Sequence, residues 1–238
     1  PDLPPAFFPE GWPGVAAHVL RYFATGRGIL TYSAANGTGF IKSRPEETDP
    51  DLQFVFTPAS YAPEGGGRLD DFPGVSCSTW LMRPKSRGRL TTVSADPLRP
   101  PEFHLGFLTE AEDIDRLLSG VRWSRRILDA AFGTTAEEVR PGAAHTDDAA
   151  LIDYMKKTGA TVFHPVGTCR MGRDDAAVVA PDLRVNGVQG LRIADASVMP
   201  NVPSSNTHAP VVALAEKAAE MILSDRTDHR ANTEQTAT

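Results

Sequence analysis

Phe163-His164-Pro165-Val166-Gly167-Thr168-Cys169-Arg170-Met171-Gly172 is the stretch on which the reading of this chain turns. Its glycines and proline rule out a long regular element and point to a loop. His164 heads the run. An imidazole titrates near neutral pH and can take a proton from a hydroxyl, so His164 reads as a general base. The residues alone leave a second reading open, a loop histidine bonded to backbone.

Around this stretch, from Gly159 to Pro203, short segments rich in Gly, Pro and Asp follow one another. A long helix then spans residues 209–224, with an apolar face of Val211, Leu214, Ala215, Ala218, Met221 and Ile222 at helical spacing. Pro210 suits its first turn, where a missing N–H costs nothing. From Asp225 onward the chain is polar and expected to fray. Two segments near His164 carry further polar groups. One is Leu191-Arg192-Ile193-Ala194-Asp195-Ala196-Ser197-Val198-Met199-Pro200, an apolar strand ending on Asp195-Ala196. The other is Asn206-Thr207-His208-Ala209-Pro210. The amide of Asn206 can bond a substrate oxygen but cannot act as a base. Asn is also a favoured helix N-cap, and both roles can hold together.

Upstream, residues 15–23 read as a short helix followed by a turn at residues 25–28. Leu-Gln-Phe-Val-Phe-Thr at residues 52–57 reads as a strand. Residues 76–82 and 89–94 read as two more, joined as a hairpin by Ser86-Arg87-Gly88. The stretch 61–72, with Gly65-Gly66-Gly67, reads as a mobile surface loop. A helix begins at Thr109, with Glu112 at capping-box spacing, and runs to Gly133. Residues 147–158 form another, closed by Gly159. The expected fold class is mixed α+β. Residues 35–155 hold a sheet backed by helices, while 1–34 and 156–224 need something else to pack against.

The 238 residues fit one large domain or two small ones. With 41% hydrophobic residues there is enough apolar surface for a core, which excludes a wholly disordered chain. A net charge of -6 argues against a nucleic-acid or anionic-membrane partner. No run approaches the roughly 18 apolar residues of a membrane span. Cys77 and Cys169 make no disulfide framework and fit a reducing compartment. The location expected from this composition is the cytoplasm.

Competing site chemistries are weaker. His164, Cys169 and His208 lack the spacings of a zinc site, so no metal is expected. Cys169 reads as a small packed residue rather than a nucleophile. A hydrolase built from Ser204 or Ser205 with His164 lacks a Gly-x-Ser-x-Gly elbow. Arg83, Lys85, Arg87 and Arg89 read as a solvated hairpin.

Taken together, the segments 163–172, 191–200 and 206–210 resemble the C-terminal signature of the glucose–methanol–choline (GMC) flavoprotein oxidoreductases. Weaker matches are residues 25–40, Pro50-Asp51-Leu52-Gln53-Phe54, and Arg83-Pro84-Lys85-Ser86-Arg87-Gly88 followed by Ala95-Asp96-Pro97. The resemblance covers about residues 26–223.

That resemblance carries several implications. FAD is the cofactor, and His164 is the active-site base, with Asn206 as the second catalytic position, held by His or Asn in the family. Asp195 and Ala196 contact the ribityl and pyrophosphate part of FAD. Thr207, His208, Ala209, Pro210 and Val211 contact the flavin, with His208 doing so through its backbone, and the last helix turns its partly positive N-terminus toward the ring. Residues 35–155 are then the substrate domain and 156–224 the C-terminal part of the FAD-binding domain. Residues 1–34 link onto that domain, and 225–238 are a flexible tail. The family's Gly-x-Gly-x-x-Gly phosphate cradle is missing from this sequence, so the expected partner is an N-terminal Rossmann half. The implied reaction oxidises the CH–OH group of a small alcohol, with dioxygen or another acceptor. A flavin-containing lyase on the same scaffold and a non-catalytic binding module are the alternatives.

Overall fold

Strand β2 (Leu52–Thr57) is covered along both edges and on both faces, with Leu52 and Phe54 buried on one and Gln53 and Thr57 on the other. It pairs antiparallel with β1 (Gly37–Ile41) on one side and β3 (Ser76–Leu81) on the other, with Phe54 opposite both Gly39 and Thr79. Leu52 and Phe54 are fully buried, and burying each contributes about 1.5–3 kcal/mol. This computed structural model describes residues 11–31, 33, 35–62, 68–204 and 206–236, with side chains from residue 13 to 225. Over these residues the chain divides into two units, 1–81 with 108–160 and 82–107 with 161–238.

In the first unit, helix α2 (Ala111–Phe132) packs on β3 and β2. Its Gly120 lies so close to the sheet that an added Cβ would come within 2.8 Å of Thr79 Oγ1. On its other side, Leu118 joins Leu151 and Met155 of α3 (Asp148–Thr158) in a buried cluster with Ile114, Leu117 and Val121 around it. The Asp147 side chain caps α3 by accepting from Ala150 N at 2.9 Å.

Asp51, at the foot of β2, is 1% exposed and accepts from Ser43 N at 2.7 Å and Ser43 Oγ at 2.6 Å. Arg116 of α2 lies beside it, Nε to Oδ2 at 3.5 Å, and also pairs with Glu47 at 2.9 Å and Glu112 at 2.6 Å. A buried carboxylate needs such partners. Helix α1 (Gly11–Thr25) leaves Leu20 and Phe23 exposed and ends at Gly26, whose N–H bonds Tyr22 O.

The second unit has little regular structure apart from the ribbon of β4 (Arg89–Thr91) with β5 (Glu102–His104) and the helix α4 (His208–Thr236). Single bridges stitch residues 171–192: Met171 to Val179, Val179 to Val185, and Arg184 to Arg192. They gather Val179, Leu183 and Val198 against Ala218 of α4. Asp225 of α4 accepts from Arg184 and from Arg192 on those bridges, the latter at 2.6 Å.

Three expectations change. The hairpin at residues 76–94 does not form: β3 is claimed by β2, and β4 pairs instead with β5, which the sequence reading did not foresee. The guanidinium of Arg87, in the expected turn, is bonded to Pro84 O, Ser86 O and Asn201 Oδ1. The N-cap of α2 is Glu110, not Thr109, and Glu112 pairs with Arg116 one turn on. Of the stretch read as a surface loop at 61–72, residues 63–67 lie outside the described residues; on either side of them Tyr61 bridges Leu69 and Ala62 N donates to Arg68 O at 2.9 Å. The last helix continues past residue 224 to Thr236, through the segment read as a frayed tail.

Candidate active site

The backbone on either side of His164 leaves it little freedom. Phe163 sits at φ +60, in the left-handed region that a bulky side chain rarely adopts, and its N–H donates to Thr161 Oγ1 at 2.9 Å. Pro165 pushes His164 itself toward extended conformations. Phe163 is 82% exposed, so core packing is not what holds this turn. Backbone held in so sparse a region clusters at functional sites.

Beyond His164 the segment docks on its neighbour. Cys169 N donates to Ser197 O at 3.0 Å and Met171 N to Val198 O at 2.8 Å. Gly172 follows, its N–H on Val179 O at 3.0 Å, and a Cβ there would come within 3.0 Å of Ala177 and of Asp174 Oδ2. Arg170 bonds Asp174 through both guanidinium ends, at 2.5 and 3.0 Å, which pulls the Asp174 carboxyl down to about 2. The partner segment holds a short 3₁₀ turn, Ala196–Val198, capped by Asp195, whose Oδ1 accepts from Ser197 N at 2.8 Å.

From there residues 199–204 lead to α4. Two arginines grip this loop: Arg83 Nη1 donates to Ser204 Oγ at 2.5 Å, and Arg87 donates to Asn201 Oδ1. The first intrahelical bond of α4 runs from Val211 N to Thr207 O at 3.0 Å, making Thr207 the N-cap. Thr207 Oγ1 lies 3.3 Å from Nδ1 of His164. The two catalytic-signature segments therefore meet at that pair.

The expected site residues fall as follows. His164 is half-buried and in contact with Thr207. Asn206 is exposed and precedes the N-cap, so the cap position that its residue type suggested belongs to Thr207. Asp195 is exposed at its turn, and Ala196 is half-buried beside it. His208, Ala209, Pro210 and Val211 form the first turn of α4. Among the described residues, no hydrogen bond or ring contact joins His208 to His164. Among the described residues, no group of three or more His, Cys, Asp and Glu is placed to hold a metal. Ser204 Oγ takes its hydrogen bond from Arg83, not from a histidine.

Sequence reasoning missed the grip of Arg83 and Arg87, read as a solvated hairpin. The usable signal was the irregular Arg-Pro-Lys-Ser-Arg-Gly spacing, which suits a loop more than a strand pair. It also missed the contact of the Thr207 hydroxyl with His164.

The donor set suits an electron-rich, polar cofactor edge. The N–H groups of His208 and Ala209 have no intrahelical acceptor by position, and a helix N-terminus carries roughly half a positive charge. Pro210 contributes no N–H. The exposed Asp195 carboxylate is an acceptor for hydroxyl groups.

A histidine on a loop thus meets the N-terminus of a long helix, an end that favours negative charge. The family profile described as GMC oxidoreductase matches residues 84–215, and the chain belongs to that family, whose structural neighbours are FAD-dependent flavoenzymes. The alcohol dehydrogenase [acceptor] of Pseudomonas putida is 38% identical over 220 residues, 92% of this chain and 39% of that protein. The oxygen-dependent choline dehydrogenase of Ectopseudomonas mendocina is 34% identical over 223 residues, 93% of this chain and 39% of the relative. A structure of Aspergillus oryzae formate oxidase, solved to follow FAD modification, superposes with a TM-score of 0.75 at 26% identity, over 92% of this chain and 43% of the other. The chain thus spans about two-fifths of the length of the curated relatives it matches. Among the described residues, no helix is long and apolar enough to cross a membrane.

Proposed function

We propose that this chain supplies the catalytic base and part of the cofactor site of a flavin-dependent enzyme that oxidises the CH–OH group of an alcohol. The observation that carries this reading is the meeting of His164 with Thr207 at the start of α4, inside the family's signature segments. The alcohol and choline dehydrogenases among the relatives support the substrate class. Their oxidoreductase names give no support to a lyase or to a non-catalytic module.

In this reading Nε2 of His164 takes the hydroxyl proton, and its imidazole ring holds it as a cation. The amide N–H of Asn206 donates to the substrate oxygen as negative charge builds there. Bound FAD would supply the hydride acceptor, and dioxygen or another acceptor would reoxidise it. Asp195, Ala196, Thr207, His208, Ala209, Pro210 and Val211 would hold the cofactor. Its pyrophosphate needs a phosphate cradle this sequence lacks, which assigns that part to an N-terminal Rossmann half. The division into linking, substrate-binding and cofactor-binding segments belongs to the same proposal.

The test is addition of alcohols to the flavin-loaded enzyme without air. Bleaching of the flavin absorbance by at least one primary alcohol supports the reading. A panel spanning aliphatic, aromatic and quaternary-ammonium alcohols that leaves the spectrum unchanged refutes it.

A further inference from the structure

We propose that Thr207 is a positioning residue that fixes the tautomer of His164. The inference rests on the reading of His164 as a base, but its test does not use turnover alone.

Three observations carry it. Thr207 Oγ1 and His164 Nδ1 are 3.3 Å apart, a distance that can tighten when substrate binds. Thr207 occupies the N-cap of α4, where a threonine hydroxyl ordinarily accepts from the N–H of the second or third helical residue. Here the third helical residue is Pro210, which has no N–H, and the hydroxyl is turned toward His164 instead. The Thr207 carbonyl is anchored by Val211 N at 3.0 Å, so the hydroxyl is presented from a fixed backbone.

The direction of the bond follows from the chemistry. A base at Nε2 needs a lone pair there, so the neutral ring must carry its proton on Nδ1. That N–H donates to Thr207 Oγ1, and the hydroxyl proton of Thr207 points elsewhere. When Nε2 takes the substrate proton, the Nδ1–H bond to Thr207 is retained and strengthens as the ring becomes charged. No proton passes to Thr207. It selects the ring form and aims it.

The experiment uses the flavin-loaded enzyme with ¹⁵N-labelled histidine at a pH where His164 is neutral. The His164 signals are assigned by their loss in His164→Gln. Long-range ¹H–¹⁵N spectra then report which ring nitrogen carries the proton. The expected result is an Nδ1–H ring in the unmodified enzyme and a shift toward Nε2–H in Thr207→Val, which keeps the shape and removes the hydroxyl. Thr207→Ser should restore both the Nδ1–H ring and the rate. Thr207→Val should lower kcat about tenfold, the scale of one lost hydrogen bond. An Nε2–H ring in the unmodified enzyme overturns the proposal without any variant having to fold. A ring that stays Nδ1–H in Thr207→Val overturns it as well. If Thr207 behaves as expected but His164→Gln keeps full turnover, it is the reading of His164 as the base that has failed.

Discussion

Arg83 donates from Nη1 to Ser204 Oγ at 2.5 Å, across 121 positions of sequence, and so ties the start of the 82–107 segment to the loop that delivers Asn206 and Thr207. Arg87 does the same to Asn201 three residues earlier in that loop. Two of the four basic residues that sequence pattern assigns to solvent, Arg83 and Arg87, instead bond the loop that leads to α4.

This relationship predicts a split between stability and rate. Ser204 is exposed and Arg83 half-buried, and polar pairs at a protein surface contribute little, about 0–1 kcal/mol. Misplacing a catalytic group by a fraction of an ångström is far more costly to rate. Arg83→Met is therefore expected to leave the melting temperature nearly unchanged while kcat falls about tenfold. Unchanged kcat would mean the loop holds its shape without Arg83.

Asp51 gives the opposite pattern. It is buried, takes two hydrogen bonds from Ser43, and faces Arg116, yet lies in the unit without His164. Asp51→Ala strands the two Ser43 donors, a loss of about 1–3 kcal/mol for each buried unsatisfied group, while Arg116 keeps Glu47 and Glu112. Denaturant unfolding should show it. Turnover per folded molecule should hold close to the unmodified value.

Asp174 sets a pH dependence. Its carboxyl is pulled down to about 2, chiefly by the hydrogen bonds from Arg170, from an ordinary 3.8. A group with a lowered folded pKa stabilises fully above its unfolded value and loses that contribution as pH falls through the folded one. The window is thus from about pH 4 down to about pH 2. Melting temperature followed over that range should fall more steeply for the unmodified protein than for Asp174→Asn, which has no charge left to lose. Parallel curves would show that the pair contributes nothing to folding.

Much of this was legible in the residues. The 52–57 strand came from its β-branched and aromatic run, and the helix over 148–158 and the helical core of α2 came from spacing, because each buries one stripe and the pattern records it. The pairing of β4 with β5 was not legible: three exposed residues on each strand carry no alternation, and only the partner decides the pairing. Thr109 looked like the N-cap by residue type, but Glu110 holds that position. At the site, His164 and Asn206 could be named because the segment around them is distinctive. The hydroxyl of Thr207 could not, since its orientation depends on what Pro210 fails to donate, a property of the folded turn.

The register at α4 is testable by a pair of variants. With Asn206 bonding the substrate oxygen, Asn206→Ala should cost about 2.7–4 kcal/mol of transition-state stabilisation, a hundred- to thousandfold in kcat. Thr207 holds the N-cap, so the melting temperature should barely change. His208→Ala keeps the backbone through which His208 is proposed to meet the flavin, so it should leave both flavin affinity and kcat per bound flavin within a few-fold. Loss of turnover in His208→Ala with flavin retained, and not in Asn206→Ala, would move the second catalytic position to His208.

The central claim is that His164 takes the substrate proton. The direct measurement is the rate of flavin reduction by an alcohol substrate, without air, in His164→Ala that retains its flavin. Loss of a general base should slow that step by roughly a hundredfold or more, while the flavin spectrum before substrate addition stays that of the unmodified enzyme. Flavin reduction at the unmodified rate in that variant would contradict the account and leave His164 as a loop residue held by Thr207.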